Sequence, residues 1–173
     1  VDACKNFNYP IFYNNQILIT LHRRENFVKR MEKIFNQIEN LAKKHPELEF
    51  IFPMHPNPNV QSLKSILKHV NVINPLGYAE MIELLSKVKF VISDSGGIQE
   101  EASMLGTPCI TTRTTTERQI TILKKINILT GCNENKILKA VSKFFNYKPQ
   151  KLSLFGNGKV SNKIYNYLKT KNL

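Results

Sequence analysis

Residues 93–101, with the sequence Ser-Asp-Ser-Gly-Gly-Ile-Gln-Glu-Glu, combine residue types suited to binding an anion. A predicted strand ends at Asp94, two glycines allow a tight turn, and a predicted helix begins at once. Backbone N–H groups at the start of that helix, together with the Ser95 hydroxyl, would form a site for a diphosphate. Glu101, about one and a half helical turns further on, could accept hydrogen bonds from two vicinal ribose hydroxyls. The alternative is that Ser95 only caps the helix and that Gly96 and Gly97 only serve the turn.

Three further polar clusters follow predicted strands, at residues 20–26, 54–58 and 113–118. His22 and the two arginines after it could meet the charge of a phosphate, although this segment also contains good residues for starting a helix. His55 lies in a rigid turn fixed by two prolines, although a loop histidine of this kind is more often structural. Arg118 could bind a phosphate or a sugar, with Glu117 positioning it. Its alternative is a surface ion pair worth less than about 1 kcal/mol.

The hydrophobic pattern predicts the elements that must position these clusters. Six short runs rich in Ile, Val, Phe and Thr are typical of buried parallel strands. They lie at 16–21, 48–53, 70–74, 90–93, 109–112 and 126–130. Helical patterns alternate with them and predict an α/β fold, a Rossmann-like three-layer α/β/α domain with a parallel sheet of about six strands. Ligands bind beyond the carboxyl ends of such strands, so the four polar clusters should converge at one edge of the sheet.

The helical patterns repeat apolar residues at three- and four-residue spacing. They cover residues 31–41, 63–70, 81–85, 98–105, 137–145 and 164–168. The second pattern, which joins Leu63, Ile66, Leu67 and Val70, predicts a helix before the third strand. Residues 147–158 are predicted to form the longest loop.

The composition excludes several classes of protein. A chain of 173 residues, 42% of them hydrophobic, is long enough for one domain with a buried core. No apolar run approaches the 18 or so residues of a membrane span. Three cysteines, odd in number and far apart, predict neither a disulfide framework nor a zinc site and favour a cytoplasmic location. Because the chain begins with Val1 and not with Met, we expect it to be a piece of a longer protein.

The net charge of +12 is concentrated near the end of the chain, where residues 121–173 hold 11 lysines against the single acid Glu134. Such a block could attract nucleic acid, an anionic membrane or an acidic partner. It contains no arginine and no aromatic residues interleaved with basic ones. We therefore interpret the lysines as solvated helix faces and expect no nucleic-acid or membrane partner.

Several of these motifs, taken in order, resemble the non-hydrolysing UDP-N-acetylglucosamine 2-epimerases. The motifs are at residues 20–26, 55–58, 94–102 and 115–118, and the tail at 154–161 is similar to the closing signature of that family. The resemblance covers the second half of the family only. It implies a two-domain fold of the glycosyltransferase-B type. Residues 1–173 would form its single UDP-sugar-binding Rossmann-like domain, and the N-terminal domain would be absent.

The resemblance also assigns expected roles to residues. Ser95, Gly96 and Gly97 would hold the diphosphate, Glu101 the ribose, and Leu76 and Met81 would contact uracil. His22, the only candidate catalytic residue in this half, would meet substrate near the phosphate, and Arg118 would bind substrate too. Arg23 and His55 match positions that reach an activating second UDP-GlcNAc. No cofactor or metal is implied, and the full-length enzyme would be a homodimer.

The implied reaction converts UDP-GlcNAc to UDP-ManNAc, for cell-surface polysaccharide, by eliminating UDP and adding it back to the opposite face. Proton removal at C2 needs carboxylates close to the sugar, and the family's carboxylates belong to the absent domain. This chain alone would therefore be inactive. Two alternatives remain: a donor-nucleotide domain of a glycosyltransferase-B glycosyltransferase, and a non-catalytic basic binding module.

Overall fold

A parallel sheet of six strands lies at the centre of the computed structural model, which describes residues 14–22, 28–148 and 152–171. The strands are β1 (Gln16–Thr20), β2 (Glu49–Pro53), β3 (Asn71–Ile73), β4 (Phe90–Ser93), β5 (Cys109–Thr111) and β6 (Asn127–Leu129). Each agrees with its predicted range to within one residue at either end. Their order is β3-β2-β1-β4-β5-β6, and every neighbouring pair is parallel. The predicted α/β fold is therefore confirmed.

Seven α-helices connect or follow the strands in the described residues. They are α1 (Val28–Lys44), α2 (Pro58–Gln61), α3 (Tyr78–Lys87), α4 (Gly96–Leu105), α5 (Gln119–Leu123), α6 (Glu134–Phe145) and α7 (Val160–Thr170). Local sequence explains the ends of the longer ones. Ser95 caps the start of α4, and Gly106 ends it in the left-handed conformation at φ 78°. Asn133 caps α6, accepting a hydrogen bond from the backbone N–H of Lys136.

Side chains on the two faces of the sheet form two separate cores, which makes the predicted three layers. Alternate β1 residues point to opposite faces, as the pleat requires. Ile17 and Ile19 pack with α1 and α6, whereas Leu18 packs with α3 and α4. The helices supply buried stripes such as Ile34, Phe35, Ile38 and Leu41 of α1 and Ile82 and Leu85 of α3.

The helix predicted at 63–70 is wrong. The structure has the four-residue α2 and one 3-10 turn at Lys64–Ile66 in that region. Leu67 leaves the helical region at φ −87° and ψ 88°, because β3 begins only four residues later. Leu63, Leu67 and Val70 are nevertheless buried. Their spacing in the sequence therefore reflects contact with the core and not helical structure. The short helix α5 was not predicted.

None of the helices in the described residues is both long and apolar enough to cross a lipid bilayer.

Candidate functional site

The order of the strands places a crevice between β1 and β4. Successive connections run outward from β1 through β2 to β3, and then from β4 through β5 to β6, so the direction reverses between β1 and β4. Such a switch point leaves an open crevice beyond the carboxyl ends of the two strands. A cleft of about 260 Å³ is found there. Its walls are Thr20, Leu21, His22, Pro53, His55, Pro75, Leu76, Met81, Ser95 and Ile98.

Five of the residues named from the sequence are brought together in this cleft. His22, His55, Leu76, Met81 and Ser95 come from the ends of β1, β2, β3 and β4 and from the start of α3. The other five wall residues were not singled out as candidates, although Thr20, Leu21 and Ile98 fall within the motifs quoted from the sequence; the remaining two are Pro53 and Pro75. Arg23, the other predicted effector residue, lies outside the described residues.

The first turn of α4 is held to the ends of β1 and β4 by hydroxyl groups. The Thr20 hydroxyl donates to the Ser93 Oγ at 2.7 Å, and that oxygen also accepts the backbone N–H of Ser95 at 3.0 Å. The Ser95 Oγ accepts from the backbone N–H of Ile98 at 3.5 Å, at the long limit of a hydrogen bond. The Ser95 hydroxyl is thus a weak cap that borders the cleft.

The two glycines of the motif already belong to α4 and do not form the tight turn that was predicted. Position 96 needs a glycine for a different physical reason, which is the lack of space for a side chain. A Cβ atom at this position would lie 3.1 Å from Cζ of Arg118 and 3.2 Å from Oε1 of Glu117. A Cβ atom at Gly97 would meet nothing nearer than 3.8 Å. The absence of a side chain at Gly96 therefore lets the Arg118 and Glu117 side chains reach the start of α4.

Asp94 fixes the position of His22. Its carboxylate is fully buried, and each of its oxygens lies 3.2 Å from the backbone nitrogen of His22. The Nδ1 atom of His22 lies 3.6 Å from one of them. The imidazole remains 40% exposed on the cleft side, so it can reach a ligand. Sequence reasoning used Asp94 only as the end of a strand. An acid directly after a buried apolar run was the signal that could have found it.

His55 lies beside His22 in the cleft. The two rings stack with their centroids 5.7 Å apart and 19° between their planes. The backbone N–H of Asn57 donates to Nδ1 of His55 at 3.1 Å. In the neutral ring this leaves Nε2 as the protonated nitrogen. The proline-rich turn thus orients the ring as the sequence predicted.

Arg118 is held by two carboxylates beside the start of α4. Its Nε and Nη2 atoms each lie 2.7 Å from Oε1 of Glu100, and Nη1 lies 2.6 Å from Oε1 of Glu117. The other oxygen of Glu117 lies 2.9 Å from Nη1 of Arg113. A hydrogen bond to its own backbone N–H and the neighbouring Arg113 hold the pKa of Glu117 below its ordinary value. Glu117 contacts Arg118 as predicted, and Glu100 was not foreseen.

A buried polar network underneath connects α4 to β5 and β6. The Oε1 atom of Gln99 accepts from the hydroxyl of Thr116 at 2.7 Å and from the amide of Asn127 at 3.0 Å. Asn127 in turn accepts from the hydroxyl of Thr111 at 2.7 Å, and Gln99 donates to the backbone carbonyl of Ser95 at 3.2 Å. The network fixes the loop before Arg118 relative to the cap residue of α4.

Glu101 lies on α4 close to the start of α3 and not in the wall of the cleft. Burial raises the pKa of its carboxyl group, and a hydrogen bond with the side chain of Tyr78 opposes that rise. The Glu101 side chain is half-buried and hydrogen-bonded to the Tyr78 side chain, so it does not point into the aliphatic core.

Within residues 14–22, 28–148 and 152–171, no three His, Cys, Asp or Glu side chains are grouped as metal ligands would be.

The strand order and the cleft at its switch point define a doubly wound, Rossmann-like α/β domain. Comparison of sequences gives its family. A family model described as UDP-N-acetylglucosamine 2-epimerase matches residues 4–169, so the chain belongs to this family. The resemblance noted from the motifs is thereby confirmed.

Curated proteins with similar sequences carry the same family description. The chain is 39% identical over 162 residues to a UDP-N-acetylglucosamine 2-epimerase of Campylobacter jejuni, a match that covers 88% of this chain and 42% of the relative. It is 37% identical over 182 residues to one of Methanocaldococcus jannaschii, covering 96% of this chain and 49% of the relative. The chain thus spans about half the length of the curated relatives it matches.

Solved structures place the fold in the glycosyltransferase-B class. A UDP-GlcNAc 2-epimerase from Neisseria meningitidis bound to UDP-GlcNAc has a TM-score of 0.81 and 36% identity. That match covers 90% of this chain and 44% of the other. An Escherichia coli heptosyltransferase with ADP has a TM-score of 0.55 at 19% identity over 82% of this chain and 47% of the other, which shows likeness of fold alone.

Proposed function

We propose that this chain is the UDP-binding half of a UDP-GlcNAc 2-epimerase. The observation that carries the proposal is the cleft at the switch point of a domain that belongs to the epimerase family. Structures of relatives contain UDP-GlcNAc in one case and UDP-GlcNAc with UDP in another. A binding role for this half is therefore the simplest function that family and geometry support together.

In the proposed complex the diphosphate lies at the start of α4. The free backbone N–H groups of a helix N-terminus and its positive dipole end favour an anion there. The Ser95 hydroxyl borders the cleft, and Gly96 and Gly97 present backbone without side chains. Arg118 adds a positive charge beside Gly96.

The apolar wall made by Leu76 and Met81 would receive the uracil ring, because both border the cleft next to Pro75. Glu101, about one and a half turns beyond the cap residue on α4, would accept the ribose hydroxyls. The ligand would replace part of the solvation that burial has removed from this carboxylate.

The chemistry at the sugar needs groups that this cleft does not supply. Among the described residues that line it, the titratable side chains are the imidazoles of His22 and His55, with no carboxylate. We propose that His22 contacts the substrate near the phosphate. We propose that the carboxylates for proton removal at C2 come from the half of the enzyme that this chain does not match in its relatives. The cytoplasmic location and the homodimer stay predictions.

Calorimetry with UDP tests the binding role. The chain should bind UDP weakly, and Met81→Asp should lower the affinity at least about tenfold because it places a negative charge beside the ligand. Leu84→Asp is the matched control, since Leu84 lies on the same helix with similar partial burial but outside the cleft wall. Absence of UDP binding, or equal loss in both variants, would refute the pocket.

Proton exchange tests the division of labour. With UDP-GlcNAc in deuterated water, this chain alone should leave the C2 proton unexchanged and form no UDP-ManNAc by NMR. Efficient epimerisation by the chain would show that the described cleft is catalytically sufficient. Transfer of GlcNAc to an added acceptor would instead favour the glycosyltransferase alternative.

A further inference from the structure

Glu117 lies beside the start of α4, next to the place where the proposed function puts the diphosphate, and is not itself part of the cleft wall. Its Oε1 atom lies 3.2 Å from the position that a Cβ of Gly96 would take, at the first residue of α4. A carboxylate at a helix N-terminus is stabilised by the same dipole and backbone N–H groups that would stabilise a phosphate. The structure therefore shows an anion of the chain itself in a position suited to an anionic ligand.

Each guanidinium nitrogen of Arg118 already contacts a carboxylate of the chain. Two of its guanidinium nitrogens lie 2.7 Å from Glu100, and the third lies 2.6 Å from Glu117. Glu100 sits on α4 itself and can hold Arg118 against the helix while a ligand is bound. A guanidinium has five N–H donors and these contacts use three of them, so a diphosphate at Arg118 would compete with Glu117 for Nη1 and for the positive charge.

The side chain of Glu117 is able to move. It is 46% exposed, whereas those of Arg118 and Glu100 are each 26% exposed. An ion pair with this much solvent contact contributes little stability, so breaking it costs little. The second oxygen of Glu117 already contacts Arg113, which could keep the carboxylate after its release from Arg118.

We propose that Glu117 is an internal counter-anion that competes with the diphosphate for Arg118 and the start of α4. This deepens the proposed function, on which it depends. In the ligand-free chain Glu117 neutralises Arg118, and on binding the phosphate oxygens take its place. Glu117 is thus a positioning residue that lowers the affinity for UDP and eases release of the nucleotide.

The test compares wild type with Glu117→Gln in calorimetric titrations with UDP and with uridine. The amide keeps the size of the side chain and removes its charge. UDP should bind about two- to fivefold more tightly to the variant, a range typical of one partly exposed charge pair. Uridine, which has no phosphate, should bind both proteins equally. Added salt should shrink the gain for UDP, because it screens the charge that the variant has lost.

Glu134→Gln is the matched control. Glu134 is also an acid in the first turn of a helix, but α6 covers the opposite face of the sheet. This variant should bind UDP like wild type. An unchanged or weakened affinity of Glu117→Gln for UDP, or an equal gain with uridine or in Glu134→Gln, would overturn the inference. If wild type binds UDP and Glu117→Gln gains nothing, only this inference fails. If neither protein binds UDP, the proposed function fails with it.

Discussion

At the scale of single residues, Glu101 shows a conflict between folding and binding. Its pKa is raised by burial above the ordinary 4.5, so the folded chain disfavours the charged form of this side chain. Hydrogen bonds donated by the hydroxyl groups of a ligand would oppose that rise by stabilising the charged form. Residues that bind at the expense of stability are common in functional sites.

We predict that Glu101→Gln makes the chain more stable above the raised pKa. A carboxyl whose folded pKa is raised contributes most below its unfolded pKa and loses that contribution as pH rises through the folded value. The variant should therefore match wild type near pH 4 and exceed it near pH 7, as measured by urea unfolding. The same variant should bind UDP more weakly, by about 1.5–3 kcal/mol for a lost charged acceptor. Equal stability at both pH values would contradict the burial of this group.

The sequence identified which residues belong to the candidate site more readily than it explained why each residue is needed there. The roles of the two glycines were predicted from turn chemistry, yet Gly96 is needed because Arg118 and Glu117 approach it. That approach joins residues on α4 to the loop after β5. Only the packed structure brings those segments together, so no local pattern records the contact.

At the scale of elements, α4 and α6 begin with caps of different quality. Asn133 accepts the backbone N–H of Lys136 at 3.0 Å, whereas Ser95 accepts that of Ile98 at 3.5 Å. The helix that faces the cleft thus has the looser cap, and more of the donor capacity at its start is left for a ligand.

We predict opposite effects of the two cap deletions on stability and binding. Asn133→Ala should lose about 1 kcal/mol of unfolding free energy, the usual cost of a helix cap, and keep the affinity for UDP. Ser95→Ala should lose less stability and weaken the binding of UDP. Chemical denaturation and calorimetry on the two variants measure both quantities. A larger stability loss in Ser95→Ala would mean that Ser95 serves only as a cap.

Among the elements, the strands were predicted well and the segment between β2 and β3 was not. Every strand lies in a short run rich in Ile, Val, Phe or Thr and bounded by polar, glycine or proline residues, and this local pattern was enough to predict it. In residues 63–70 the same apolar spacing arises because Leu63, Leu67 and Val70 each reach the core from a turn. Periodicity over eight residues cannot distinguish the two cases.

At the scale of the whole molecule, α7 packs unlike the other long helices. All of its residues are exposed, including Val160 at 46%, Ile164 at 54% and Leu168 at 41%. These three lie four residues apart and therefore share one face of the helix. An exposed apolar stripe of this kind marks an interaction surface.

We predict that the chain self-associates through α7 as salt is added. The net charge of +12 opposes association at low ionic strength, and screening removes that repulsion while leaving the apolar attraction. Sedimentation should show more dimer at high salt. Ile164→Lys combined with Leu168→Lys should remain monomeric and still bind UDP. If the wild type stays monomeric at every salt concentration, the apolar stripe on α7 does not mediate self-association.

The sequence alone determined the strands, most of the helices and the residue types at the cleft, because apolar periodicity, caps and turn residues act over a few positions along the chain. Tertiary structure decided which of those residues meet. The contacts of His22 with Asp94 and of Thr20 with Ser93 join positions more than 70 residues apart. They exist because β1 lies beside β4 in the sheet. Strand order depends on burying both faces of the sheet at once, and that condition involves the whole chain.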